Sequence, residues 1–202
     1  PVVSAVMGVA AGAPAGKALM SHFSIMIKGQ SQIFAGGPPL VERGTGETVT
    51  REELGGWKIA VEKAGVIHNV AKDEEDCFRQ IKQFLSYMPQ NVWEMPPIVR
   101  TDDPVDRREE ELLDIVPRDR RKPYDMHKLI RLVMDKDSTF EIQPRYGRAA
   151  ITTLSRLNGY PVGIIANNPM YGGVVDVKSA RKQAHFIDLC DCFHIPLLFL
   201  ID

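Results

Sequence analysis

The chain has 202 residues, 44% of them apolar and 25% charged, with a formal net charge of −1. This is the composition of a globular protein of one domain or two partial ones, and the near-neutral balance gives no electrostatic reason to expect nucleic acid or an anionic membrane as a partner. No apolar run reaches the roughly 18 residues of a membrane span, and three cysteines without framework spacing suit a reducing compartment, the cytoplasm or a mitochondrial matrix.

Val2–Met7 reads as a short buried strand. A glycine- and alanine-filled turn, "GVAAGAPAG", follows it, then a helix over Gly12–His22 and a second strand in "FSIMIKG", Phe23–Gly29. "FAGGPPLV" reads as a Gly-Pro loop. Thr50, with Glu53 three residues on, is a capping box opening a helix before Gly55-Gly56. "KDEEDCFRQIKQFLSYMP" is a helix with an acidic start, and its apolar residues Cys77, Ile81, Phe84, Leu85 and Met88 recur at helical spacing. Residues 96–122 form a proline-rich, charged linker between residues 1–95 and 123–202, with one short helix over Asp106–Asp114. Beyond it come a helix in "MHKLIRLVMD", a strand in "TFEIQ", two strands joined at "NGYP", and a helix in "KSARKQAHFIDLCDCFH". That last helix carries Ala180, Ala184, Ile187 and Cys190 or Asp191 along one side, and Ile195–Ile201 is a buried strand. Strand, turn, helix and strand thus occur on each side of the linker, which suggests two related α/β units. The chain starts and stops inside apolar strands, as a piece of a longer protein would.

Small residues at a strand-to-helix junction let backbone N–H groups approach a ligand closely. "GVAAGAPAGK" misses both the Walker and the dinucleotide glycine spacings. An oxyanion hole and close helix–strand packing both stay open for it. No serine sits in a nucleophile elbow, no two histidines have metal-ligand spacing, and Cys190-Asp191-Cys192 lacks a second pair for zinc, so those thiols read as buried packing and no metal is expected. The sequence offers backbone-built sites and few acid/base side chains. That suits thioester enolate chemistry with an external base.

"GVAAGAPAGKALMSHF", "SQIFAGGPPLV", "GETVTREELGG", the long segment ending in "RLNGYPVGIIANNP", and "CDCFHIPLLFLID" resemble, in order and spacing, the carboxyltransferase (beta) subunit of biotin-dependent acyl-CoA carboxylases. The resemblance implies a crotonase-like α/β fold of ββα superhelices, with this chain holding the later part of the N-terminal domain and the early part of the C-terminal one. It implies transfer of CO2 from carboxybiotin, on a partner carrier protein, to the α-carbon of an acyl-CoA through a thioester enolate. It implies biotin carboxylase and carrier subunits as partners, and a homo-oligomer with its site at the subunit interface. The oxyanion hole of the N-terminal domain would fall on the backbone of Gly12 and Ala13. Gly8, Ala10, Gly37, Pro38, Gly55 and Gly56 would bind substrate. Asn167 and Asn168 would face biotin, and a second oxyanion hole is expected in a segment beyond Asp202.

Some positions depart from the family pattern. Ala10 stands at a usual cysteine, Ala13 at a glycine, His22 and His68 at aspartates, and Ala60 at a histidine. The departures motivate a non-catalytic assembly protein with this fold as an alternative reading, beside a biotin-dependent acyl-CoA decarboxylase subunit, which runs the transfer in reverse.

Overall fold

A computed structural model describes residues 1–119 and 121–202; Arg120, inside the proline-rich stretch, lies outside the described residues. The chain forms two compact units, Pro1–Leu85 and Ser86–Asp202.

The first unit is built on parallel strands. β1 (Val3–Val6), β3 (Phe23–Ile27) and β5 (Asn69–Ala71) form one sheet in the order β1-β3-β5. β2 (Val9–Ala11) and β4 (Gln32–Phe34) form a second, with Ala10 opposite Ile33 and Ala11 opposite Phe34. The stretch read as a continuous turn therefore contains a strand. Val9, Ala10 and Ala11 lack the alternation that signals one, and a partner 23 residues along the chain sets their conformation instead. The helix after it, α1 (Ala13–Leu19), stops three residues short of the expected His22. Its buried face is Ala15 and Ala18, which lets it lie close against Val6, Met26 and Ile33.

One further element differs from expectation. Gly37 caps a helix, α2 (Pro38–Thr45), where a loop was expected. Two prolines at its start have their φ already set for a helix and no N–H to leave unpaired. Trp57 leads into a π-helical segment, Lys58–Lys63, that buries Ala60 and Val61. The capping box is present: Glu53 N–H donates to Thr50 Oγ1 and Thr50 N–H to Glu53, opening α3 (Arg51–Gly55). In α4 (Glu74–Ser86) the buried residues are Cys77, Gln80 and Phe84, whereas Leu85 is exposed. Phe84 stacks on Phe23 at 4.7 Å, and Gln80 accepts a hydrogen bond from Asn69 at 3.1 Å.

In the second unit the short helix expected over Asp106–Asp114 is a 3-10 turn at Glu110–Leu113. α5 (Met126–Val133) is capped by Asp125. β6 (Phe140–Glu141), β7 (Ala150–Leu157), β8 (Tyr160–Asn167) and β9 (Leu197–Leu200) form a sheet in that order, antiparallel until β9 joins β8 in parallel. The crossover between β8 and β9 is α6 (Val177–Cys192). Its buried face is Ser179, Lys182, Phe186, Leu189 and Cys190; Ala180, Ala184, Ile187 and Asp191 face solvent. The side that carries Ala180, Ala184, Ile187 and Asp191 is thus the exposed one, and the fully buried Lys182 belongs to the packed face. Cys190 is buried, which pushes its thiol up to about 12, whereas Cys192 is exposed rather than packed.

Lys182 Nζ donates to the Ala150 carbonyl at 2.8 Å and lies 3.7 Å from Glu141 Oε1. Glu141 also bonds His127 Nε2 at 3.0 Å, and Asp125 lies 3.6 Å from His127 Nδ1. Desolvation lowers the Lys182 pKa to about 8, and the Glu141 hydrogen bond raises that of His127. A lysine held below its unfolded value makes folding release a proton between about pH 8 and the usual lysine range. Its contribution to stability therefore rises with pH across that window. Urea denaturation from pH 7 to 10 should show this rise in the wild type and not in Lys182→Met.

Candidate active site

Strand β4 gathers the small residues of the first unit. Gly12 N–H donates to the Phe34 carbonyl at 3.1 Å, immediately after β2 ends. Gly12 then adopts φ 68 and ψ −128, a conformation essentially restricted to glycine, and α1 begins at Ala13. Gly37 sits against the Phe34 ring, where an added Cβ would lie 3.5 Å from it. Gly55 approaches more closely still: a Cβ there would stand 2.0 Å from the Ile33 carbonyl oxygen. Gly12, Gly37 and Gly55 thus converge on one short strand. Gly56 packs on Glu52 of its own helix, and Pro38 serves as the first residue of α2.

The Gly12 N–H is engaged within the sheet, so the donor row of the turn starts one residue later. Ala13 is helical, hence at negative φ, and its N–H has no acceptor within the helix. Pro14 has no N–H. Ala13 is an exposed residue, and its N–H is the first donor of this turn left without an acceptor in sheet or helix.

Beside the turn, an open cleft of about 470 Å³ is lined by Val3–Ala10 on one side and Pro14, Lys17 and Ala18 on the other. Gly8 and Ala10 belong to its wall; Gly12, Ala13, Gly37, Pro38, Gly55 and Gly56 do not. Ser31 Oγ donates to the Val6 carbonyl and accepts from Ile27 N–H, tying the end of β1 to the β3–β4 turn. Only its burial, which a sequence does not display, marks this serine out.

The departures at His22, His68 and Ala60 lie in packing positions. His68 is buried, its Nδ1 accepts from Ser24 N–H at 2.8 Å, and its ring stacks on Phe23. His22 Nδ1 accepts from Val2 N–H at 2.9 Å. Ala60 is in the core with Trp57 and Val61.

In the second unit, Asn168 is buried and its Oδ1 accepts from Met170 N–H at 3.2 Å, capping a short 3-10 turn. Asn167 Oδ1 accepts from Asp202 N–H at 2.9 Å. Asn167 lines a polar cleft of about 450 Å³ with Arg121, Lys122, Tyr124, Gly173 and Asp202, and among the described residues no hydrogen bond engages its amide nitrogen. Burial and a hydrogen bond to Asp202 push the Tyr124 hydroxyl up to about 12, so it remains protonated and engaged by that carboxylate. Among the described residues no helix is long and apolar enough to cross a membrane, and no cluster of His, Cys, Asp and Glu could hold a metal ion.

The family profile described as carboxyl transferase domain matches residues 1–202. The propionyl-CoA carboxylase carboxyltransferase subunit of Haloferax mediterranei is 38% identical over 100% of this chain and 39% of its own length. The methylmalonyl-CoA decarboxylase subunit alpha of Veillonella parvula is 37% identical over 100% of this chain and 40% of its own. The chain therefore spans about two-fifths of these relatives. The crystal structure of transcarboxylase 12S, a hexamer with hydrolysed methylmalonyl-CoA bound, superposes with a TM-score of 0.94 at 35% identity, over 99% of this chain and 40% of that one. The fold is the crotonase-like α/β fold.

The turn geometry separates two neighbouring glycines. Gly12→Ala forces a side chain into a glycine-only conformation and should cost about 1–3 kcal/mol. Gly8→Ala, whose new Cβ meets nothing within 4 Å, should leave stability within about 0.5 kcal/mol of wild type. Urea denaturation of the two variants checks both.

Proposed function

Because the chain belongs to the carboxyl transferase domain family, we propose that it is part of the carboxyltransferase component of a biotin-dependent acyl-CoA carboxylase, an enzyme that carboxylates the α-carbon of an acyl-CoA. Carboxybiotin, delivered by a carrier subunit, supplies the carboxyl group and the base. The observation that carries the reading is the turn after β2, where Gly12 in its glycine-only conformation leaves the Ala13 N–H without an acceptor in sheet or helix.

In this reading the thioester oxygen of the acyl-CoA lies against the Ala13 N–H. As the α-proton leaves, charge moves onto that oxygen. A fixed backbone donor then stabilises the enolate more than the ground-state thioester, which is the condition for acceleration. Carboxybiotin, when bound, would supply CO2 by cleavage of its N–C bond and would take up the α-proton on the nitrogen so freed; the enolate carbon bonds to the CO2 carbon and the thioester carbonyl is restored. Gly12 sets the direction of the donor while its own N–H holds the Phe34 carbonyl. Gly8 and Ala10 keep the cleft wall free of bulk, and Gly37, Pro38, Gly55 and Gly56 act through β4, α2 and α3 rather than by touching substrate. Asn167 offers its amide N–H to the ureido carbonyl, and Asn168 holds the turn that carries it.

A biotin carboxylase and carrier are the implied partners, in a homo-oligomer with its site at the subunit interface, working in the cytoplasm or a mitochondrial matrix. The same residues serve decarboxylation, in which the enolate forms by loss of the carboxyl group. The near-equal identity to a carboxylase and a decarboxylase subunit, 38% and 37%, keeps that direction as the second reading.

Ala13→Pro tests the donor cleanly. Proline suits the first turn of a helix, and α2 already begins with Pro38-Pro39. The variant of the complete protein should fold with an unchanged Tm. It should lose about 10²–10³-fold in methylmalonyl-CoA-dependent carboxylation of free biotin, as for other deleted oxyanion donors. A folded variant with wild-type turnover places the hole elsewhere. Absence of transfer in the wild type with malonyl- and methylmalonyl-CoA alike refutes the catalytic reading.

A further inference from the structure

We propose that Lys17 is the anion-binding residue of the β1–α1 cleft, holding a carboxylate or phosphate oxygen of the bound acyl-CoA; this rests on the acyl-CoA reading above. Among the described residues, Lys17 is the single charged one lining that cleft, whose other walls are Val3–Ala10, Pro14 and Ala18. It is exposed, and among the described residues no ion pair or hydrogen bond engages its ammonium and no acidic side chain lines the cleft to compete for it. An unpaired ammonium over small, uncharged walls attracts anions, and the partial exclusion of water in a cleft strengthens that attraction over a flat surface.

The helix geometry aims this charge. Side chains on a helix tilt toward its N-terminus, and residues four apart share a face. Lys17 is four residues after Ala13 and three after Pro14, so it shares a helix face with the first turn of α1, and with Pro14 it lines the cleft. An α-carboxyl group is attached one carbon from the thioester carbonyl, so a thioester bound at that turn brings a carboxylate within reach of a lysine stem. A coenzyme phosphate entering along the cleft is the other source of the same chemistry. Lysine in the last turn of a helix is also what the helix dipole favours, but that role moves stability and not ligand affinity.

The test is equilibrium binding to the complete protein, wild type against Lys17→Gln and Lys17→Arg, with propionyl-CoA, methylmalonyl-CoA, free CoA and a methylmalonyl pantetheine thioester. Glutamine keeps the helix propensity, and an unchanged Tm verifies folding. If the anion is the acyl carboxylate, Lys17→Gln weakens methylmalonyl-CoA and its pantetheine analogue about 10-fold and leaves propionyl-CoA and CoA within two-fold. If it is a coenzyme phosphate, the three CoA ligands weaken together and the pantetheine ester does not. Lys17→Arg retains the affinity in either case. Unchanged binding of all four ligands by Lys17→Gln overturns the proposal. Failure of the wild type to bind any of them refutes instead the acyl-CoA reading beneath it.

Discussion

The hydrogen bond from Gly12 N–H to the Phe34 carbonyl is the constraint on which the first unit turns. It closes the β2–β4 ladder one residue beyond Ala11, and the chain must then reverse direction to start α1. Only a residue without a Cβ accepts φ 68 with ψ −128 at that point. The consequences run outward from there. The next N–H, that of Ala13, is left without an acceptor in sheet or helix; the helix that follows presents alanines inward; and β4, with Phe34 at its end, becomes the surface on which Gly37 and Gly55 close. Sheet, helix and loop each constrain this turn. A backbone donor constrained in this way has little reorganising to do as charge develops on an oxygen beside it.

Much of this was legible in the sequence, and the rest was hidden for identifiable reasons. The Thr50–Glu53 capping box, the helix opened by Glu74–Asp76 and the two strands joined at Asn158-Gly159 carry local signals strong enough to survive tertiary packing. β2 was hidden because Val9-Ala10-Ala11 owes its extended form to a parallel partner rather than to its own propensity. The packed face of α6 was hidden because it includes Lys182, a charged residue that is fully buried beside Glu141 and the Ala150 carbonyl. The candidate turn was legible as small residues at a strand-to-helix junction. Which of its N–H groups is free was not, because that depends on the Phe34 carbonyl, distant in sequence.

The departures from the family pattern change meaning once their surroundings are known. His68 holds β3 through Ser24 and Phe23, His22 ties down the backbone before β1, and Ala60 fills the core beside Trp57. Each is explained by packing, and none lines the β1–α1 cleft. They are weaker grounds for a non-catalytic protein than they look in the sequence. Ala10 and Ala13 are the exceptions: Ala10 lines that cleft, and Ala13 stands at the turn itself, where backbone donation needs a negative φ rather than a glycine, and Ala13 has one.

The most direct measurement is a crystal structure of the complete protein with a non-hydrolysable acyl-CoA analogue. The account predicts the analogue's carbonyl oxygen within about 2.7–3.1 Å of the Ala13 backbone nitrogen, with Gly12 still bonded to the Phe34 carbonyl. A carbonyl oxygen held by other donors, with the Ala13 N–H facing water, would contradict it.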